Sequence, residues 1–319
     1  MTILVTGGAG FIGSHTAQAL LARGDTVIIV DDFNDYYSPA VKHHNISRLQ
    51  AAKPCKVYDA DIRNYGLLHG MFRSERIDKV CHLAARAGVR ASIADPFLYE
   101  QTNILGTLHL LKLAADFKVK NFVYASSSSV YGNMPTAPFR EDMKLDEPIS
   151  PYAATKKACE LMAYTYHHLS GLPCTGLRFF TVFGPAGRPD MAPFIFAWNI
   201  MHGIPIRKFG TGGTQRDYTY IDDIVAGVLA AIDRDLPFEI INLGNCRPIT
   251  LTTMIETIER VVGKTAGIEQ AGMQPGDVEM TCADIAKAQR LLGYEPRTSF
   301  EEGMARFAAW LKNHARLYD

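Results

Sequence analysis

Residues 150–160 read SPYAATKKACE, which sets Tyr152 and Lys156 four apart. On a helix that spacing puts both on one face. A phenol has an unperturbed pKa of about 10, too high for a base near neutral pH. A neighbouring ammonium and a cationic cofactor would both stabilise the phenolate, so the pair reads as a candidate base and the group that tunes it. A lone Y-x-x-x-K would merit a plainer reading, a half-buried Tyr beside a solvated Lys. Two further stretches argue for chemistry. Residues 125–132, ASSSSVYG, leave the apolar run NFVYA as a row of hydroxyls. VTGGAGFIGSH, residues 5–15, sets Gly7, Gly10 and Gly13 between an apolar run and a helical pattern that opens on Phe11 and Ile12. Glycines there permit a tight turn and let backbone N–H groups approach a pyrophosphate at a helix N-terminus. Asp31, followed by Asp32 and Asn34, ends the second apolar run. A carboxylate at that point accepts from both hydroxyls of an adenosine ribose and repels a 2′-phosphate, which predicts NAD rather than NADP.

These residues need a scaffold that brings them together. Strand-like runs are Ile3–Thr6, Thr26–Val30, Lys56–Tyr58, Lys79–Leu83, Asn121–Ser126 and Cys174–Arg178. Between them lie helical patterns at Phe11–Arg23, Tyr65–Arg73, Phe97–Phe117 and Tyr152–Leu169. Alternating strands and helices with nearly all-apolar strands predict an α/β fold, a Rossmann-type doubly wound parallel sheet covered on both faces. After Arg178 the texture turns Gly- and Pro-rich, with helical patterns at 222–232, 251–262, 283–292 and 299–314 and one β run, FEIINLG, at 238–244. The expected division is an NAD-binding domain over 1–178, joined by 215–246, and a smaller substrate lobe from 179–214 and 247–319. A ligand should lie between that lobe and the carboxyl edge of the sheet. There Asp61 and Ile62 would frame an adenine, and Leu83, Ala84 and Ala85 offer small side chains along a cofactor's path.

Composition narrows the function further. With 47% apolar and 21% charged residues and a formal net charge of +0, the chain has the balance of an ordinary soluble protein and no basic stripe for nucleic acid. No run approaches the ~18 apolar residues of a membrane span, and the N-terminal apolar run is too short for a signal peptide, so a cytoplasmic protein is expected. The six cysteines lack zinc-knuckle spacing and read as small core residues. The ten histidines form no HExxH, so no metal is expected.

Taken together, TGGAGFIGSH, Asp31, HLAA (82–85), SSSSVYG, SPYAATK and LRFFTVFGP resemble the extended short-chain dehydrogenase/reductases, in their nucleotide-sugar epimerase branch, from about Ile3 to about Leu311. The resemblance implies that Tyr152 takes a proton from a sugar hydroxyl, that Lys156 holds the nicotinamide ribose, and that Ser127 bonds the same sugar oxygen. It adds Asn103 and Phe179 to the cofactor site. Arg216 would meet the diphosphate of a UDP-sugar, Asp277 the uridine ribose, and Arg207 and Phe209 the uracil. A homodimer built on the helices at Phe97–Phe117 and Tyr152–Leu169 is implied as well. The family's reaction begins with C4 oxidation by NAD+, which gives a 4-keto sugar.

The serine row then separates the branches. The resembling 4,6-dehydratases carry Asp-Glu near this point and the resembling decarboxylases a Glu before VYG; here no carboxylate occurs between Ser126 and Glu141. Without a second base in this loop, the keto intermediate is expected to turn over and be reduced on its other face, which is 4-epimerisation. Phe179-Phe180-Thr181 and GPAGRPDMAPF, with NDYYSPAVK, are most like UDP-glucuronate 4-epimerases. A C6 carboxylate wants a cation and several donors. Arg90, Arg188, Ser127, Ser128, Ser129 and Thr181 are the candidates, against the alternative that either Arg is a solvated surface residue. A 4-epimerase of neutral UDP-hexoses, a decarboxylating lyase and a non-catalytic NAD-binding regulator stay as alternatives.

Overall fold

A computed structural model describes residues 1–272 and 278–318. Seven parallel strands form the central sheet: β1 (Thr2–Thr6), β2 (Thr26–Asp31), β3 (Lys56–Asp59), β4 (Lys79–His82), β5 (Asn121–Ser127), β6 (Cys174–Phe179) and, after four short strands, β11 (Phe238–Leu243). Their spatial order is β11-β6-β5-β4-β1-β2-β3. The expected doubly wound sheet is present, and FEIINLG extends it, pairing parallel with β6. Successive residues of β1 and β2 feed opposite faces. Ile3, Val5, Val27 and Ile29 enter one core, while Leu4, Ile28 and Val30 enter the other. That double burial is why these strands read as continuous apolar runs rather than alternating ones.

Helices cover both faces. The first core takes α1 (Phe11–Ala22), α2 (Pro39–Ala52) and α9 (Ile221–Asp233); the second takes α3 (Tyr65–Ser74), α6 (Gly106–Asp116) and α7 (Pro151–Ser170). The short helices α4 (Val89–Ala94) and α5 (Pro96–Tyr99) follow β4. The pattern at Phe97–Phe117 is not one regular helix. Glu100–Leu105 is a π-helical stretch between α5 and α6, and it carries Asn103. Such widened turns are frequent at functional sites. The α7 start follows its sequence signal: Ser150 Oγ accepts from Ala153 N at 3.1 Å, and Pro151 fills the first turn.

The remaining chain builds the other wall of the cleft. It carries β7 (Thr181–Phe183) paired with β10 (Tyr218–Tyr220), β9 (Gln215–Arg216) paired with β12 (Ile249–Thr250), and β8 (Ile206–Phe209) paired with β13 (Ile268–Ala271). Its helices are α8 (Ala192–His202), α10 (Leu251–Val262), α11 (Ala286–Leu292) and α12 (Phe300–His314). Buried Asp217 fastens this part. Its carboxylate accepts from the backbone N–H of Asn245, Cys246 and Ala283 at 2.7, 3.0 and 2.9 Å. Of the six thiols, Cys246 is exposed, contrary to the core reading, because it sits on the loop that this carboxylate holds at the surface. Among the described residues, no helix is long and apolar enough to cross a membrane, and no cluster of three or more His, Cys, Asp or Glu is placed to hold a metal.

Candidate active site

A cleft of about 1200 Å³ opens along the carboxyl ends of β1, β2, β4, β5 and β6 and is closed on its far side by residues 180–218 and 251–269. Pockets for a single small ligand are roughly 300–1,000 Å³, so this larger space has room for two ligands laid end to end. At one end, Gly7 takes φ +69°, and a Cβ there would stand 2.7 Å from the backbone nitrogen of Ala84. Only glycine brings the β1–α1 turn this close to β4. Gly10, Phe11, Ile12 and Gly13 continue the turn into α1 on the cleft wall. Asp31 does two jobs: its Oδ2 accepts from Ala9 N and its Oδ1 from Phe33 N, each at 3.0 Å, so it braces the glycine turn as well as facing the cleft. Burial raises the pKa of its carboxyl, opposed by Lys42, whose Nζ lies 3.7 Å away. Asp32, Asn34, Asp61, Ile62, Leu83, Ala84, Ala85 and Phe179 complete this wall, with Asp61 held by the Arg63 side chain at 2.8 Å.

Asn103 lies behind the cleft wall, next to lining residue Thr102. It is buried, and its side chain is spent on the backbone of Arg86 (2.8 and 2.9 Å) and on Thr155 Oγ1 (3.0 Å). It therefore holds the loop after β4 to α7 and is not on the cleft wall. Asp277 lies outside the described residues.

At the centre of the cleft, Tyr152 and Lys156 rise from the first turns of α7 beside Ser127, Ser128 and Ser129. Lys156 is buried, and its ammonium donates to the Ala125 carbonyl at 2.8 Å. That anchor uses one of three hydrogens. Ser127 Oγ caps the short 3-10 turn at Ser128–Tyr131 by accepting from Ser129 N at 3.1 Å. Its own hydroxyl donates to Ser129 Oγ at 3.1 Å, so the serine row is pre-ordered. Tyr99 stands edge-on to the Tyr152 ring, 6.1 Å between centroids. Beneath them His82 bridges Thr6 and Thr107 hydroxyls at 2.7 and 2.9 Å. Burial and then the Lys156 charge push its pKa down to about 3, so it is a neutral strut.

The candidate carboxylate and nucleotide ligands all line the same cleft: Arg90, Thr181, Arg188, Arg207, Phe209 and Arg216. Arg188 already has an anion. It forks onto Asp190, and Tyr36 donates to the same carboxylate at 3.2 Å. The Arg188 guanidinium lies 5.4 Å over the Tyr36 ring. Arg207 pairs with Glu269 at 3.5 Å, and Arg216 donates to the Gln215 carbonyl at 2.8 Å. Sequence reasoning missed Tyr36, Lys42, Arg86 and Asp190, all on the cleft wall. Tyr36 and Asp190 meet across 154 positions, and no local pattern announces such a contact. Among the described residues the serine row has one carboxylate bonded to it, Glu160 on Ser126 at 2.7 Å, but Glu160 is buried, off the cleft, and engaged by Arg178.

Residues 4–307 match the family described as GDP-mannose 4,6 dehydratase. A UDP-glucuronate 4-epimerase of Thermodesulfobacterium geofontis is 48% identical over 98% of this chain and 97% of its own length. The structure of a UDP-glucuronic acid 4-epimerase from Bacillus cereus, solved with UDP-glucuronic acid and NAD, superposes with a TM-score of 0.93 at 36% identity, covering 98% of this chain and 99% of that one. A UDP-glucose 4-epimerase of Thermotoga maritima, solved with UDP-glucose, superposes at 0.91 with 31% identity, covering 99% of this chain and 100% of that one.

Proposed function

The chain belongs to the GDP-mannose 4,6 dehydratase family, and we propose that it interconverts UDP-glucuronate and UDP-galacturonate as an NAD-dependent 4-epimerase. The glycine turn, Asp31 and Lys156 fit NAD: the turn leaves no room for side chains, and a buried carboxylate faces the place of the adenosine ribose. When bound, NAD supplies the acceptor for the C4 hydrogen and gives it back. The protein's own part is proton handling and orientation. Tyr152 takes the O4 proton, Ser127 donates to or accepts from the same oxygen, and the Lys156 charge favours the phenolate. After the 4-keto sugar has rotated, Tyr152 returns its proton to O4 on the other face.

The observation that carries the reading is the wall of the cleft around Tyr152. It offers the hydroxyls of Ser127, Ser128 and Ser129, that of Ser126 being spent on Glu160, and the nearby carboxylates are tied up, Asp190 by Arg188 and Glu160 by Arg178. Elimination needs a free base there. A 4-keto hexuronate is a β-keto acid that loses CO2 readily, so the carboxylate must be held. Ser128, Ser129, Thr181 and Arg188 are the proposed holders, with Arg90 nearby. Arg188 would share its charge between Asp190 and the sugar. Arg216, Arg207 and Phe209 would take the UDP end, and Asp277 the uridine ribose. The proposed division puts the cofactor mainly on 1–178 and 215–246 and the sugar nucleotide mainly on 179–214 and 247–319, with Arg90, the serine row and Arg216 reaching the sugar nucleotide from the first part.

We place the protein in the cytoplasm, where six unpaired thiols suit a reducing compartment, and propose that it works as a homodimer. NMR of UDP-glucuronate incubated with the enzyme should show UDP-galacturonate growing in, with UDP-glucose left unchanged. Turnover of UDP-glucose alone would move the substrate to neutral hexoses, the reading favoured by the likeness to the Thermotoga enzyme. A pentose product with CO2 would make it a lyase.

A further inference from the structure

Below the serine row lies a buried ionic network, of whose members Ser126 alone lines the cleft. Glu160 stands one turn beyond Lys156 and two beyond Tyr152 on α7. Its carboxylate accepts from Ser126 Oγ at 2.7 Å and from Arg178 Nε and a terminal guanidinium nitrogen at 2.8 Å each. Arg178, on β6, also donates to the Tyr131 hydroxyl at 3.0 Å and lies 5.0 Å over that ring. Tyr131 donates to Asn242 Oδ1 at 2.7 Å, and Asn242 donates to the carbonyls of Phe139 and Asp284 at 2.8 and 3.2 Å. Ser126, Glu160 and Arg178 are 2%, 3% and 2% exposed, so water does not loosen these bonds. Burial alone would raise the Glu160 pKa; the Arg178 guanidinium and then the Ser126 hydroxyl hold it below the usual carboxylate range.

Such a pair is a poor device for stability. Removing two charges from water offsets most of their attraction, and well-packed apolar residues often serve as well. What a forked guanidinium–carboxylate contact supplies is fixed geometry. Its place here is telling. The two residues before Ser127 are each bonded to α7: the Ala125 carbonyl to Lys156, and the Ser126 hydroxyl to Glu160 four residues further on. A slip of α7 along its axis breaks both rungs and moves Tyr152 relative to Ser127.

We infer that Glu160 is a positioning residue, whose carboxylate, clamped between Ser126 and Arg178, sets the height of Tyr152 and Lys156 against the Ser127 hydroxyl. The inference rests on the proposed epimerase reaction. Ser126→Ala removes one rung and leaves the Arg178 fork and Ser127 in place; Ser126 lines the cleft, but its hydroxyl is spent on Glu160. Misplacing a reacting group by an ångström costs on the order of a hundredfold in rate, so a partial slip should lower kcat roughly ten- to a hundredfold. KM and the thermal midpoint should stay close to wild type. In a single turnover, the rise of reduced-nicotinamide absorbance should slow by the same factor, and Ser126→Thr should restore most of it. Glu160→Gln, which keeps the shape but not the charge, should lose at least as much kcat in the protein that folds. An unchanged kcat in Ser126→Ala would overturn the inference, as would a loss matched by loss of folded protein or a rise in KM alone. Wild type run alongside separates the two claims. If it turns over only UDP-glucose, the substrate assignment fails and the same kcat comparison is made on that sugar.

Discussion

His82 shows how burial beside the catalytic pair turns a titratable side chain into a support. Its folded pKa of about 3 lies below the unfolded value of about 6.5, and that of His15, lowered chiefly by burial, is about 4. Both are neutral in the fold, so on acidification the unfolded chain takes up protons first. The stability they contribute is full above about pH 6.5 and is lost as pH falls toward those folded values, at roughly 1.4 kcal/mol per pH unit for each. Between pH 7 and 5, His82→Asn should therefore lose about 2 kcal/mol less stability than wild type, read from denaturant unfolding at each pH. Equal losses would show that His82 is not neutral in the fold. Spacing made Tyr152, Lys156 and the glycine turn legible, because their chemistry depends on neighbours in the chain. Lys42, Tyr36 and Asp190 were not, because each matters only through a partner that folding delivers. Asn103, read as a cofactor contact, gains partners that folding alone delivers, the Arg86 backbone and Thr155.

At the scale of elements, buried parallel strands announced themselves. The six expected strands differ from the observed ones by a residue or so at their ends, since double burial demands an unbroken apolar run. The helices α2 and α8 did not announce themselves. α2 buries only scattered positions, Val41, Ile46 and Leu49 among them, and its polar histidines and lysine break the stripe. α8 is hidden behind the Gly- and Pro-rich text that precedes it. The π-helical stretch at Glu100–Leu105 was unreadable for a further reason. Its residues are ordinary helix formers, and the widened turn coincides with tertiary bonds from Asn103 to the Arg86 backbone and to α7. α7 was legible at its start, through Ser150-Pro151; it ends on Gly171 in the left-handed conformation.

For the whole molecule, two faces of the fold matter. One is the cleft; the other is the outer surface where α5, the π-helical stretch and α6 run beside α7. Phe97, Leu161 and Tyr164 are 76%, 60% and 54% exposed on these helices, and Ile93 is 64% exposed on α4, which packs against α5 and α7; exposed apolar side chains gathered in one region mark a contact surface. A homodimer through this face predicts a solution mass near twice 35.3 kDa by light scattering. Leu161→Glu should shift the protein toward monomer. A wild-type monomer at working concentration would remove the dimer from the account. The same whole-molecule view explains why the cleft must hold both ligands at once, since the hydrogen removed from C4 has to be returned before either leaves. The most direct measurement starts from UDP-glucuronate deuterated at C4 and follows the product by NMR and mass spectrometry. Oxidation, rotation and re-reduction within one closed site predict UDP-galacturonate with its deuterium still at C4. Washout of the label into solvent, or a decarboxylated product in its place, would contradict that course.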